Sequence, residues 1–122
     1  FYPDTTVSKF GLYVSGDKSG HWKSFYEDGR LNMDGYFLNG LEDGYWKIYF
    51  PNGQLESEGL YSTGEEEGNW KYYYQNGKLS NRGNYVAGNE DSVWTYYYDN
   101  GVLMQLETWN KGKLENISDL VD

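Results

Sequence analysis

The sequence predicts an all-β fold built from tandem β-hairpin repeats. Three kinds of residue recur every 24 positions in a chain of 122 residues. They are the tryptophans Trp22, Trp46, Trp70 and Trp94, the glycines Gly29, Gly53, Gly77 and Gly101, and the leucines Leu31, Leu55, Leu79 and Leu103. A unit of this length cannot enclose a core, so each copy must bury its apolar face against its neighbours. Aromatic residues make up 20% of the chain and no segment shows helical spacing, which agrees with an all-β array.

The repeats predict a single domain over residues 1–115, followed by a polar C-terminal tail at 116–122. A partial copy covers residues 1–19, full copies cover 20–43, 44–67 and 68–91, and a capping copy covers 92–115. The first copy is partial because Phe1 aligns with Phe25, in the middle of the unit. We therefore expect that an initiator segment before Phe1 has been lost.

Each full copy, and likewise the capping copy, is predicted to form one hairpin around a turn dipeptide. The dipeptides are Asp28-Gly29, Asn52-Gly53, Asn76-Gly77 and Asn100-Gly101. Asp-Gly and Asn-Gly are the strongest short-range signals for a two-residue type I′ turn. In that register Trp22 faces Gly35 across the hairpin and Tyr26 faces Leu31. Large residues would thus lie opposite glycine along the array.

The same register sets charged residues opposite each other in the first three copies. It places Lys23 opposite Asp34, Lys47 opposite Glu58, and Lys71 opposite Arg82. We expect the first two pairs to form cross-strand ion pairs worth ~0.2–1 kcal/mol each. The third copy breaks the pattern, since both of its facing residues are basic.

Alternation of side chains along each strand separates two predicted faces. The tryptophan and leucine columns share the buried face and are the predicted structural core. The other face carries an aromatic row formed by Phe25, Tyr49, Tyr73 and Tyr97. A row of this length exceeds the scattered apolarity of an ordinary surface, so these four residues are the candidate partner-binding site.

Acidic residues recur in what we predict to be the longer connections between hairpins. The candidate acidic rim comprises Glu42, Asp43, Glu65, Glu66, Glu67, Glu90 and Asp91. Stacking of the repeats would line these residues along one edge of the array. They form either a solvated rim that keeps the sheet soluble and discourages edge pairing, or a docking site for a cationic surface.

The repeat pattern G-x-W-x-x-Y-Y-x-N-G-x-L, followed by G-x-Y-x-x-G, resembles the MORN-repeat variant family. The second copy carries it in Gly44, Trp46, Tyr49, Asn52, Gly53, Leu55, Gly59, Tyr61 and Gly64, and the third in Gly68, Trp70, Tyr73, Asn76, Gly77, Leu79, Gly83, Tyr85 and Gly88. The resemblance implies an elongated, curved antiparallel meander and no catalytic residues. Many bacterial members are labelled antitoxin components of toxin–antitoxin systems.

The last copy departs from the pattern. Ser92 replaces the opening glycine, Thr95 the lysine, Glu107 the glycine opposite Trp94, and Trp109 the tyrosine. A terminal repeat has one unstacked side and is expected to differ, so we interpret this copy as a cap.

Composition argues against several classes of function. The net charge of −9 disfavours nucleic acid and acidic lipid, and favours a basic protein partner. The chain has no cysteine, no calcium-binding loop pattern and one histidine, His21, without an accompanying nucleophile. We therefore expect no catalytic residues, no cofactor, no metal site and no enzymatic activity.

These observations favour a non-catalytic repeat scaffold that mediates protein–protein interaction as a subunit or accessory of a larger complex. One alternative is an antitoxin-like binder of a toxin protein. Another is a glycan- or cell-wall-binding module that stacks sugars on the aromatic row, and open sheet edges also allow a homodimer. The composition and the missing initiator favour an extracytoplasmic location, periplasmic, cell-surface or secreted, over the cytoplasm.

Overall fold

A computed structural model describes residues 6–14 and 16–119, and nearly every described segment is a β-strand or a turn. The strands are β1 (Thr6–Val14), β2 (Asp17–Tyr26), β3 (Leu31–Leu38), β4 (Leu41–Glu42), β5 (Gly44–Tyr49), β6 (Leu55–Ser62), β7 (Glu65–Tyr73), β8 (Leu79–Val86), β9 (Asn89–Tyr97), β10 (Leu103–Asn110) and β11 (Lys113–Asp119). They form one antiparallel sheet in chain order, with the short β4 paired to β3. The prediction of an all-β array in an open, curved sheet is confirmed. Within the described ranges, no helix is long and apolar enough to cross a membrane.

The turn inside each repeat is not the predicted type I′ turn. The N–H of Gly29 donates to the carbonyl of Tyr26 at 2.9 Å, and the N–H of Tyr26 donates to the carbonyl of Arg30 at 2.7 Å. Gly29 has a φ of 91°, whereas Asp28 has no positive φ. This is a three-residue loop with a glycine bulge, in which the Asp28 carboxylate also accepts the N–H of Arg30 at 3.0 Å. The aspartate thus serves the turn by hydrogen bonding rather than by a left-handed backbone.

Tight turns with two left-handed residues join the repeats instead. They are Asn39-Gly40, Thr63-Gly64, Ala87-Gly88 and Lys111-Gly112, with φ values of 50–52° at the first residue and 82–85° at the second. These are the backbone requirements of type I′ turns. The predicted longer connections are therefore wrong, and most of the acidic rim lies in β4, β7 and β9. Threonine, alanine and lysine rarely adopt positive φ, which hid these turns in the sequence.

The predicted register of each hairpin nevertheless holds near the tryptophan. Trp22 faces Gly35 and Lys23 faces Asp34. A second irregularity, between Ser24 and Phe25, offsets the extra turn residue. Beyond this bulge Phe25 faces Leu31, so the predicted pairing of Tyr26 with Leu31 is wrong.

The core consists of indoles seated on glycines of the preceding copy. The four tryptophans are only 2–5% exposed. A Cβ atom at Gly35 would lie 2.0 Å from Cδ2 of Trp46, and Gly59 stands in the same relation to Trp70 at 2.1 Å. Trp22 faces Gly35 in register, yet the indole that covers Gly35 belongs to the next repeat. Each tryptophan therefore joins two copies.

Edge-to-face aromatic contacts continue this core along the sheet. Ring centroids lie 5.0–6.3 Å apart in the order Trp22, Phe37, Trp46, Tyr61, Trp70, Tyr85 and Trp94. The indole N–H of Trp70 donates to the carbonyl of Leu60 at 2.9 Å, and that of Trp46 to the carbonyl of Tyr36 at 2.9 Å. These rings cover one face of the single-layer sheet. We call this face the tryptophan face.

The last copy shows why a glutamate can replace the repeat glycine. Glu107 faces Trp94, but the position that would supply the next covering indole is Ser118. Freed of that contact, the Glu107 carboxylate accepts the indole N–H of Trp109 at 3.0 Å. The predicted tail is wrong for residues 116–119, which belong to β11; residues 120–122 and Phe1 lie outside the described residues.

Candidate interaction face

The predicted aromatic row lies on the side of the sheet opposite the tryptophan face, which we call the outward face. All four residues, Phe25, Tyr49, Tyr73 and Tyr97, are half-buried. Each faces a leucine of the neighbouring strand, Leu31, Leu55, Leu79 or Leu103. Because cross-strand partners share a face, these half-buried leucines lie on the outward face, and their predicted place beside the tryptophans is wrong. The bulge after each turn moves them across the sheet.

More fully exposed apolar side chains surround this row. Seven of the eleven large apolar residues that are exposed lie on the outward face: Tyr36, Leu38, Leu41, Tyr45, Leu60, Val86 and Val93. Sequence reasoning missed them, although Tyr45 and Val93 each directly precede a core tryptophan and alternation alone places them outward. The outward face is thus apolar well beyond the row.

A polar network centred on Glu58 crosses the outward face. The hydroxyl of Tyr45 donates to Oε1 of Glu58 at 2.9 Å, and that of Tyr73 donates to Oε2 at 2.6 Å. Burial alone would raise the pKa of Glu58, but these two hydrogen bonds and the charges of Lys47 and Lys71 lower it. Burial, and then the bond to Glu58, raises the pKa of Tyr45 to about 12. Tyr73 of the predicted row is therefore held in place by a carboxylate.

The two predicted ion pairs face each other in register without forming contacts. Lys23 lies opposite Asp34, yet the Asp34 carboxylate contacts Nε2 of His21, whose ring stacks on Tyr36 at 4.8 Å. Lys47 lies opposite Glu58, whose oxygens accept the tyrosine hydroxyls. In the described part of the chain, ion-pair contacts involve only His21 with Asp34 and Arg30 with Asp28. Nearby donors compete successfully with flexible lysines.

Three carboxylates of the acidic rim form hydrogen bonds with the next inter-repeat turn. Asp43 accepts the N–H of Thr63 at 3.0 Å, Glu67 that of Ala87 at 2.9 Å, and Asp91 that of Lys111 at 3.3 Å. In each case the donor is the first left-handed residue of the turn. These carboxylates therefore connect successive repeats and are not merely solvated.

Strand alternation divides the rest of the rim between the two faces. Glu66 faces Tyr61 on the tryptophan face, while Glu67 faces Leu60 on the outward face. Burial, and then the charge of Glu66, raises the pKa of Tyr61 to about 12. Neighbouring carboxylates of the rim therefore lie on opposite faces of the sheet.

The outward face also contains an open cleft of about 620 Å³. Its lining residues are Tyr45, Glu58, Asn69, Lys71, Arg82, Gly83, Val93 and Thr95. Lys71 lies opposite Arg82, as the register predicts. Among residues 6–14 and 16–119, no group of three or more His, Asp or Glu side chains could hold a metal ion. The side chains that line the cleft include one carboxylate, two cations and the polar groups of Asn69 and Thr95.

Comparison with known protein families identifies the repeats. The profile described as MORN repeat variant matches residues 18–39, 42–62, 66–87 and 90–111, which together make up more than half of the chain. Each match ends at or next to an inter-repeat turn. Among curated proteins, none matches the chain. MORN repeats are commonly protein-interaction or scaffold modules, and the family is typically non-catalytic. The chain belongs to the MORN repeat variant family.

Proposed function

We propose that the protein is a non-catalytic scaffold that binds another protein through its outward face. The observation that carries the proposal is the uneven distribution of exposed apolar residues, seven of which lie on that face. Contiguous exposed apolar surface marks interaction sites in soluble proteins. The tryptophan face offers no comparable surface, because its indoles are already buried.

The predicted row supplies the floor of this surface. Phe25, Tyr49, Tyr73 and Tyr97 are half-buried between leucines, and the more exposed Tyr36, Leu60 and Val93 stand around them. Half-buried aromatic rings with more exposed apolar neighbours suit a protein partner, because the partner's side chains can pack between those neighbours. Sugar stacking requires an open ring face, which leucine neighbours restrict, so the row is less suited to a glycan.

Two matched double variants test the proposal. Leu60→Ser with Val93→Ser alters the outward face, where these residues are 42% and 51% exposed. Leu114→Ser with Ile117→Ser is the control, because these residues are 40% and 50% exposed and face Trp109 and Glu107 on the tryptophan side. Affinity capture from the cells that produce the protein, followed by mass spectrometry, should yield a stoichiometric partner that only the outward variant loses.

Other outcomes would contradict the proposal. Equal capture by both variants would remove the outward face as the binding surface. Sedimentation of the purified protein provides a second measurement, and we expect a monomer. A dimer that dissociates in the outward variant would show that the face binds a second copy of the chain rather than another protein.

A further inference from the structure

We propose that the cleft on the outward face accepts a carboxylate of the protein partner that is flanked by an apolar side chain. The inference rests on the proposed function, since it names the chemistry by which the partner is recognised. The cleft is lined by the cations Lys71 and Arg82, the carboxylate of Glu58, and the apolar surfaces of Tyr45 and Val93.

The first argument is an unbalanced pair of positive charges. In the first two repeats a lysine faces a carboxylate within the hairpin, Asp34 or Glu58, whereas in the third Lys71 faces Arg82. Lys71 has Glu58 opposite it on its other side, but Arg82 lies between Lys71 and the uncharged Thr95. Like charges directly opposite each other on a sheet are destabilising. Arg82 is exposed, and within the described residues neither cation makes an ion-pair contact. An anion bound between them would remove this repulsion.

The second argument concerns the charge of the ligand. Glu58 lines the same cleft, and its tyrosine hydrogen bonds favour the ionised form. Together with Lys71 and Arg82 it leaves one net positive charge, which matches a single carboxylate. A single carboxylate would leave the cleft neutral, whereas a dianion such as phosphate would leave it with one net negative charge. The planar guanidinium of Arg82 can also bind a carboxylate through two parallel hydrogen bonds.

The third argument concerns the walls and floor of the cleft. Tyr45 and Val93 are 47% and 51% exposed and offer apolar contact beside the cations. The amide of Asn69 adds hydrogen-bond donors. At the floor, Thr95 faces Arg82, and its hydroxyl oxygen is buried without a hydrogen-bond partner. This combination suits an acidic residue that has an apolar neighbour.

A peptide titration followed by NMR tests the inference on the whole chain. The probe is acetyl-Leu-Glu-Leu-amide, with acetyl-Leu-Gln-Leu-amide as its uncharged match and inorganic phosphate as a second anion. We expect saturable shifts at the backbone amides of Asn69, Arg82, Val93 and Thr95. The glutamine peptide should bind about tenfold more weakly or worse, since it lacks the charge-assisted hydrogen bonds. Tighter binding of phosphate than of the glutamate peptide would overturn the assignment.

A pair of charge variants separates binding from structure. Arg82→Glu restores the alternation of the first two repeats, whereas Lys78→Glu makes the same charge change at an exposed turn residue outside the cleft. We expect Arg82→Glu to weaken binding of the glutamate peptide at least tenfold while raising the midpoint of thermal unfolding, because a carboxylate replaces the like charge opposite Lys71. Lys78→Glu should leave the affinity close to that of the unchanged protein.

The results distinguish this inference from the proposed function. Unchanged peptide affinity in Arg82→Glu, or a lowered unfolding midpoint, would overturn the carboxylate site. Loss of partner capture by both Arg82→Glu and the outward double variant supports it. If only the outward double variant loses the partner, the scaffold proposal stands and the carboxylate inference fails.

Discussion

The two faces of the sheet differ in how fully their side chains are buried and hydrogen-bonded by other residues of the chain. On the tryptophan face four indoles, those of Trp22, Trp46, Trp70 and Trp94, each cover a glycine. The last three also donate their N–H to a nearby carbonyl. On the outward face apolar side chains are exposed and Arg82 faces another cation. The comparison shows that packing within this single-layer sheet is concentrated on one face, and the proposed binding surface lies on the other.

The largest effect should come from removing an indole. Trp70 is 2% exposed and contacts the rings of Tyr61 and Tyr85. We expect Trp70→Ala to lower the free energy of unfolding by ~3–5 kcal/mol, because it leaves a cavity between two repeats. Urea unfolding followed by circular dichroism measures the change. Val93→Ala on the outward face should cost far less, and a similar cost for both would contradict the division between the faces.

A methyl group at a repeat glycine should also be costly. A Cβ atom at Gly59 would lie 2.1 Å from Cδ2 of Trp70, so Gly59→Ala must displace the indole. We expect a loss of ~1–3 kcal/mol or more in the free energy of unfolding. In the Trp70→Ala background the same substitution meets no indole, and its cost should largely disappear. Additive losses in the double variant would show that the glycine serves some other purpose.

Removing a carboxylate that joins two repeats should have a smaller effect. Asp43→Ala and Glu67→Ala each remove an acceptor for a turn N–H, and we expect a loss of about 1 kcal/mol for each. Glu65→Ala is the matched control, since it removes an equal charge from an exposed side chain of the same strand as Glu67. If Glu65→Ala and Glu67→Ala lower the free energy of unfolding equally in urea, the effect comes from the change in net charge and not from the lost hydrogen bond.

The spacing of tryptophan and glycine is sufficient to predict the hairpins and their central register. It could not predict the turn type, because the extra residue at Gly29 is offset by a bulge between Ser24 and Phe25. Two compensating irregularities leave the spacing of Trp22 and Gly35 unchanged. They move Leu31 to the other face, and no feature of the repeat period reports that change.

The site was predictable to a similar extent. Alternation alone places Tyr49 on the outward face, and the register alone shows Lys71 opposite Arg82. The Glu58 network joins residues of three strands, Tyr45, Glu58 and Tyr73, through diagonal contacts. Such contacts depend on sheet twist and rotamer choice, which pairing rules for directly opposite residues do not include.

The smallest predicted effect is a dependence of stability on acidic pH that arises from Glu58. Its pKa in the folded protein lies below the ordinary value of 4.5, so its contribution to stability is fully present above about pH 4.5. The contribution is lost as the pH falls through the lower folded pKa, because Glu58 is then protonated in both the folded and the unfolded protein. In urea unfolding, the advantage of the unchanged protein over Glu58→Gln should therefore shrink below about pH 4.5.

Tyr73→Phe sharpens that measurement. It removes one of the two hydroxyls that lower the pKa of Glu58, so in the Tyr73→Phe background the advantage over Glu58→Gln should be smaller and should be fully lost at a higher pH than in the unchanged protein. An identical pH profile in both proteins would mean that Tyr45, Lys47 and Lys71 lower the pKa of Glu58 without a contribution from Tyr73. The hydroxyl bonds matter for binding as well, because they fix a carboxylate beside Arg82 at the border of the cleft. With that carboxylate in place the cleft has one net positive charge, which the single carboxylate of the proposed ligand would neutralise.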